Sequence, residues 1–159
     1  ISINRFFFGF LNQIRKIYLN SKIYDKKISR VDEGDHFTNL VPPTFLLNQI
    51  SKKKFKIEDF FLDKIWSYEK LDNKEYKSIN SFYWFFSLDL KSSKKEVQFV
   101  ISNWINNNSK YNSKSWNFDL TAKRIISWLS CYNLTYEESN QSYKDSFNKI
   151  IKKQNNHLI

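Results

Sequence analysis

An all-α fold is predicted by three features of the sequence. Glycine and proline occur only twice each in 159 residues, which disfavours a sandwich or barrel with many tight turns. Hydrophobic residues make up 41% of the chain, enough to fill a core. In several segments apolar residues recur three and four positions apart, which places them on one face of a helix. Together these features predict a series of antiparallel αα-hairpins, because helices joined by short connections pack as neighbours.

The first third of the chain contains two predicted helices separated by polar sequence. Residues 5–20 carry an apolar face at helical spacing, formed by Phe7, Phe10, Leu11, Ile14, Ile17 and Tyr18. Residues 21–43 are polar and are predicted to be irregular as far as the Pro42-Pro43 pair. Thr44 is expected to cap a short helix to about Lys53. The stretch 55–61 is predicted to be a brief strand or a loop.

Two capping boxes mark the next two helices. Asp72-x-x-Glu75 predicts the start of a helix whose apolar pattern continues to about Leu90. Ser93-x-x-Glu96 predicts the start of the following helix, which the polar run 106–109 ends.

Two further helices are predicted near the end of the chain. One begins at Asp119 or Thr121, and Thr135-x-x-Glu138 is expected to cap a turn after it. The last has an apolar face formed by Tyr143, Phe147, Ile150, Ile151 and Leu158. We expect more than half of residues 72–159 to be helical. We also expect six side chains to be buried between these helices: Phe86, Val100, Ile101, Trp104, Ile125 and Ile126.

The charge narrows the choice of partners without fixing one. The net charge of +10, carried mostly by lysine, is compatible with nucleic acid, an anionic membrane or an acidic polysaccharide, or with a solvated lysine surface. The clusters Lys52–Lys54 and Lys94-Lys95 lie in no recognised nucleic-acid motif, so we expect no nucleic-acid partner. No run of 18 apolar residues occurs, so no transmembrane segment is expected.

Metal and cofactor chemistry have no support in the pattern. Cys131 is the only cysteine and is expected to be a small buried thiol, which excludes a disulfide framework or a cysteine-based zinc site within this stretch. His36 lies among Asp32, Glu33 and Asp35, but the spacing lacks the further ligands of a calcium loop. The sequence contains no glycine-rich phosphate loop. We therefore expect no metal and no cofactor.

Three stretches, taken in order, resemble the amino-terminal part of heparinase II/III-type polysaccharide lyases. Residues 79–90 form an aromatic helix that leads to Asn-Trp-Ile-Asn-Asn-Asn at 103–108, similar to the family's "WI..N" signature. Trp116 is followed by Arg124-Ile-Ile-Ser-Trp128, which resembles the family's "R-I-x-x-W". Residues 154–159, Gln-Asn-Asn-His-Leu-Ile, are similar to its "NHL" stretch. The resemblance covers roughly residues 65–159.

The resemblance implies an α/α toroid and a candidate active site. Residues 65–159 would be the start of the toroid, residues 1–64 a lead-in, and a downstream β-sandwich domain would lie outside a truncated chain. The enzyme would cleave a heparin- or heparan-like, or another uronate-containing, polysaccharide by β-elimination, and would be periplasmic or secreted. Asn156 would neutralise the uronate carboxylate, and His157 would act as the base or as a second neutraliser.

Two further residues are candidates for substrate binding. Trp116 precedes a helix and is the tryptophan expected beside a cleft, where its face would stack on a sugar ring. Arg124 either pairs with a substrate carboxylate or holds the next hairpin in place. A different class of function also stays open: a non-catalytic helical module that binds an acidic glycan or a protein through its basic surface, in which Asn156 and His157 are an exposed terminal pair.

Overall fold

A computed structural model describes residues 2–30 and 73–159 of the chain, with side chains from residue 7 onward. In these ranges helices account for 76% of residues and no strand occurs, which confirms the all-α class and the predominance of helix after residue 72. The elements are α1 (Ser2–Leu19), α2 (Lys22–Ile28), α3 (Asn73–Ser81), a 3₁₀ helix (Tyr83–Ser87), α4 (Lys94–Asn108), α5 (Phe118–Ser130), α6 (Tyr132–Thr135) and α7 (Gln141–Leu158). The predicted elements between residues 44 and 61, and Asp72 of the first capping box, lie outside the described residues.

Residues 2–30 contain two helices, whereas the sequence predicted one. The helix predicted at 5–20 is confirmed as α1, whose apolar side chains from Phe7 to Tyr18 are 41–71% exposed. The prediction that residues 21–43 are irregular is wrong for 22–28, which form α2. Ser21 explains the difference: its Oγ accepts a hydrogen bond from the backbone N–H of Tyr24 at 3.1 Å and so caps the helix.

The helix predicted from residue 72 to about 90 is interrupted at Phe82. There the backbone is left-handed, with φ 57°, and the chain continues as a 3₁₀ helix. This conformation costs a bulky residue on the order of 1–2 kcal/mol. The cost is offset because the Phe82 ring becomes fully buried, edge-on to Trp128 with a ring-centre distance of 5.1 Å. A core contact, which periodicity does not reveal, therefore ends α3.

Short polar side chains cap three of the remaining helices, α4, α5 and α7. The first half of the second capping box is confirmed, since Ser93 Oγ accepts from the N–H of Glu96 at 3.3 Å. Helix α5 begins at Phe118, one residue before the earlier of the two predicted starts, because Asn117 is the cap that accepts from Asp119 N–H. The prediction for Thr135 is wrong. It ends α6, where its hydroxyl donates to Trp128 O at 2.7 Å, and Asn140 caps α7.

The core is built on aromatic rings. Trp104 and Trp128 are fully buried and meet edge-on at 5.5 Å, and Phe147 packs against Trp128 from α7. The predicted burial is confirmed for Phe86, Val100, Ile101 and Trp104. It is wrong for Ile125 and Ile126, which are half-buried because α5 instead turns Leu120, Thr121, Arg124, Ser127 and Trp128 inward. Cys131 is likewise half-buried.

The helices pack in an order that brings α2 against α7. Helix α5 packs against α3 and α7, and α4 packs against α6 and α7. Helix α2 packs against α7, so Tyr24 and Ile28 join the same core as the tryptophans. None of the helices in the described ranges is both long and apolar enough to cross a membrane.

The cap of α7 provides a test of this fold. Asn140 is exposed and its Oδ1 accepts from the N–H of Tyr143 at 2.9 Å. Asn140→Ala removes that acceptor and is expected to lower the free energy of unfolding by about 1 kcal/mol, measured by urea denaturation. Asn140→Asp keeps an acceptor and should stay within a few tenths of wild type. Equal stability of all three proteins would contradict the cap.

Candidate functional site

Two adjacent turns of α7 direct polar side chains toward the rest of the chain. The residues are Lys153, Gln154, Asn156 and His157, and their partners lie on α2, on α5 and in the loop 109–117. Two of the predicted site residues, Asn156 and His157, belong to this set. The other two, Trp116 and Arg124, are direct partners of its members. The structure thus brings the four predicted residues into one connected region.

His157 is buried, with both ring nitrogens engaged. It is 7% exposed; Nδ1 lies 2.5 Å from Tyr24 Oη, and Nε2 lies 2.7 Å from the backbone oxygen of Trp116. Phe118 stacks on the imidazole at 4.9 Å with an interplanar angle of 12°. The ring is therefore fixed in position and orientation, and it is not the exposed terminal residue considered above.

The pKa shifts and the two hydrogen bonds together define the protonation states of His157 and Tyr24. Burial lowers the pKa of His157, an effect that the bond to the Trp116 carbonyl partly opposes and that Arg124 and Arg15 reinforce. Burial, followed by the nearby Tyr111 and Tyr18, raises the pKa of Tyr24. At neutral pH His157 is thus an uncharged imidazole that donates from Nε2–H to Trp116 and accepts at Nδ1 from the Tyr24 hydroxyl.

Asn156 connects α7 to the end of α2. Its Nδ2 donates to the backbone oxygens of Ile28 and Arg30, both at 2.9 Å. These carbonyls lie at the carboxyl end of α2, where backbone acceptors lack partners within the helix. One turn earlier Lys153 pairs with Asp25 at 2.5 Å and donates to Ser109 O at 2.7 Å. Asn155 points to solvent between them.

Trp116 is not placed with its ring face open to a cleft, as the sequence suggested. It is 1% exposed, and its Nε1–H donates to the backbone oxygen of Asn108 at 2.9 Å. The neighbouring aromatic ring that reaches the surface is that of Phe118, which is half exposed. Trp116 contributes to the site through its carbonyl, which orients His157.

Arg124 is fully buried and holds three parts of the chain together. Its Nε donates to Gln154 Oε1 at 2.7 Å, and Nη1 donates to the backbone oxygens of Asn80 and Ser115 at 3.0 and 3.1 Å. The guanidinium also lies 3.9 Å from the centre of the Trp104 ring. This geometry corresponds to the second of the two roles considered for Arg124, that of holding the neighbouring helices.

Besides Lys153, one lysine in a lysine-rich chain, three members of the site were missed from the sequence. Tyr24 lies 133 residues from His157, in a segment predicted to be irregular, so no local pattern connects them. Gln154 lies two residues before Asn156, and only its hydrogen bond from Arg124 identifies it as part of the site. Phe118 follows the helix cap and resembles any surface aromatic. No group of three or more His, Cys, Asp or Glu that could hold a metal is found within the described parts of the chain.

No protein-family model, no curated protein and no solved structure matches the chain. The site is therefore interpreted from its own geometry.

The lowered pKa of His157 predicts how stability depends on pH. Because protonation is less favourable in the folded chain, the stabilisation is complete above the unfolded pKa of about 6.5 and is lost as the pH falls through the lower folded value. Between these values the free energy of unfolding should fall with a slope of at most about 1.4 kcal/mol per pH unit. His157→Gln should remove this slope. Urea denaturation of wild type and variant from pH 4.5 to 8 measures the slope, and an unchanged slope in His157→Gln would contradict the assignment.

The buried guanidinium predicts that Arg124→Lys is not conservative. An ammonium group cannot reach Gln154, Asn80 and Ser115 together, so we expect a loss of about 3 kcal/mol in unfolding free energy. The adjacent Lys123 is a matched control, because its ammonium group is partly exposed and contacts only Asp119, as an ion pair, and the face of the Tyr83 ring at 5.7 Å among the described residues. Lys123→Ala should cost less than about 0.5 kcal/mol. Similar stabilities of the two variants, measured by thermal and urea unfolding, would be incompatible with this role of Arg124.

Proposed function

We propose that the chain is the first part of an α/α toroid in a secreted or periplasmic lyase that resembles heparinase II/III and cleaves an acidic polysaccharide by β-elimination. The observation that carries the proposal is the neutral, oriented imidazole of His157, next to Asn156 and hydrogen-bonded to the Tyr24 hydroxyl. An uncharged base, an amide donor and a phenol are the group types that this reaction uses.

The chemistry assigns each group a role. The proton at C5 of a uronate is acidic enough to be removed only if the charge that develops on the carboxylate is stabilised. Asn156 supplies an amide donor for this charge without adding a competing negative charge. His157 accepts the proton, and near neutral pH it is in the required uncharged form. The protonated Tyr24 hydroxyl is a donor for the departing sugar oxygen.

Substrate must displace existing contacts before these groups can act. Nδ1 of His157 is occupied by Tyr24, and the Asn156 amide is occupied by two carbonyls of the α2 terminus. Productive binding therefore requires that α2 shift far enough to free Nδ1 of His157 and the Asn156 amide, while the Tyr24 hydroxyl stays within reach of the departing oxygen. Each hydrogen bond contributes about 0.5–1.5 kcal/mol net, so contacts with a polysaccharide can replace them.

The packing of the helices supports a layered arrangement. Helix α5 lies between α3 and α7, which are its second neighbours in the sequence. A toroid built from αα-hairpins places every second helix in the same layer, and this pairing is compatible with that pattern. The basic charge of +10 suits an anionic polymer.

A second candidate is a helical module without catalytic activity that binds an acidic glycan. It is favoured by one observation: Asn156, His157 and Arg124 all have protein partners, so their structural roles alone account for their burial. In that case the basic surface carries the binding, and these three residues stabilise the fold.

Activity of site variants in the full-length protein separates the two candidates. Asn156→Ala should reduce turnover on the true substrate on the order of a hundred- to thousandfold, since one lost donor to developing charge costs about 2.7–4 kcal/mol. His157→Ala should be severe if His157 is the base. The exposed Asn155→Ala is the matched control and should remain close to wild type. The measurement is the ultraviolet absorbance of unsaturated uronate products.

Loss of folding must be distinguished from loss of chemistry, because Asn156 also anchors α2. Turnover is therefore compared at a temperature at which circular dichroism shows every variant to be folded. Folded Asn156→Ala and His157→Ala proteins with wild-type turnover would exclude the catalytic assignment and favour the binding module. A critical Asn155 beside a silent Asn156 would mean that the resemblance is out of register by one residue.

A further inference from the structure

A polar surface cleft lies beside Asn108, whose backbone oxygen accepts from Trp116 Nε1. It is lined by residues of α3, the carboxyl end of α4, the loop 109–117 and Leu120, and its volume is about 750 Å³. Ligand sites typically have about 300–1,000 Å³. The lining contains five asparagines and two lysines and no carboxylate: Asn73, Tyr76, Lys77, Asn107, Asn108, Asn112, Ser113, Lys114, Asn117 and Leu120.

Hydrogen bonds orient four of these amides in two opposite ways. Asn112 Oδ1 accepts from Lys114 N–H at 2.9 Å, and Asn117 Oδ1 accepts from Asp119 N–H at 3.1 Å. Both asparagines therefore retain their NH₂ donors for a ligand.

The side-chain amides of Asn107 and Asn108 on α4 have the opposite orientation, since they use their NH₂ groups within the protein. Asn107 Nδ2 donates to Asn103 O at 2.8 Å, and Asn108 Nδ2 donates to Trp104 O at 3.1 Å. Their Oδ1 atoms remain as acceptors. The cleft thus offers oriented donors on its loop side and oriented acceptors on its α4 side.

This combination of groups selects among anionic ligands. Sugar hydroxyl groups both donate and accept, so they match a lining that presents both. Lys77 and Lys114 add two ammonium groups, which suit a carboxylate. A bare phosphate only accepts hydrogen bonds at its ionised oxygens, and the amide oxygens of Asn107 and Asn108 would repel it. A hydroxyl-rich ring that carries a carboxylate fits the whole lining.

We propose that this cleft binds a uronate residue of an acidic oligosaccharide, with the carboxylate held by Lys77 and Lys114 and the ring hydroxyls held by the asparagine amides. The inference rests on the proposed function, since it assigns a substrate subsite to the same enzyme. Two hydrogen bonds connect the cleft to the candidate site: Asn108 O accepts from Trp116 Nε1, and Trp116 O accepts from His157 Nε2. A sugar bound here is one aromatic side chain away from the imidazole.

Direct binding to the chain tests the proposal without reference to turnover. Isothermal titration is carried out with hexamers of galacturonate and of mannuronate, and with the same hexamers after reduction of each carboxylate to a hydroxymethyl group. Wild type should bind at least one acidic hexamer and bind its reduced form at least tenfold more weakly. Lys77→Gln combined with Lys114→Gln should weaken binding of the acidic hexamer about tenfold, because two exposed charge contacts with the carboxylate are lost.

The matched control removes a lysine from the other end of α4. Lys95 is exposed in the first turn, and 13 residues separate it from Asn108, which corresponds to about 20 Å along the helix. Lys95→Gln should leave the affinity unchanged. If it weakens binding as much as a cleft substitution does, attraction is spread over the basic surface and the proposal is overturned. Equal binding of acidic and reduced hexamers, or binding of neither acidic hexamer at millimolar concentration, also overturns it.

Failure of the lyase proposal would give a different result. Specific binding of a uronate hexamer by a full-length protein without lyase activity supports the cleft and favours the binding module. An active lyase whose KM and kcat are unchanged by Lys77→Gln with Lys114→Gln overturns the cleft and leaves the catalytic assignment in place.

Discussion

The packing of α3, α5 and α7 depends on Arg124, whose positively charged guanidinium is buried in the core. Moving a guanidinium from water into the interior costs several kcal/mol unless its donors find acceptors. Arg124 meets this requirement with the Asn80 and Ser115 carbonyls, the Gln154 side chain and the face of Trp104. These acceptors come from the end of α3, the loop before α5, and α7. Because the charge is stable there only when all of them are in place, Arg124 fixes the relative positions of the elements that form both the candidate site and the cleft.

Helix α7 connects the elements held by Arg124 to α2 in the amino-terminal segment. The Gln154 side chain is oriented by Arg124, because its Oε1 accepts from the Arg124 Nε–H. Its Nε2 has no acceptor among the described residues. On the adjacent turn His157 contacts Trp116 and Tyr24, and Asn156 contacts the end of α2. The same few side chains thus form the junction between α2 and the rest of the core. In this candidate site the hydrogen bonds fix the orientation of the polar groups, and they also occupy them.

The sequence predicted those features that are local. The helix class, the start of α4 at Ser93 and the end of that helix near Asn108 all follow from patterns within a few residues. The break at Phe82 could not be predicted, because its cause is a contact with Trp128, 46 positions later in the sequence. The inward face of α5 was also missed, since a buried Arg124 contradicts the usual expectation for a charged residue. The candidate residues Asn156 and His157 were found by resemblance to a motif, whereas their partners on α2 required three-dimensional information.

The junction between α2 and α7 has a consequence for the order in which the protein folds. The hydrogen bonds of Asn156 and His157 to α2 span 126 to 133 residues of sequence, so they close one of the longest loops the chain can form. At a synthesis rate of about 5–20 residues per second, α2 is made about 6–25 s before Asn156 and His157 of α7. The short α2 has seven residues and is too small to be a stable helix on its own. Contacts of such long range slow the folding reaction, so docking of α2 is expected to be a late step that follows assembly of the α3–α7 core.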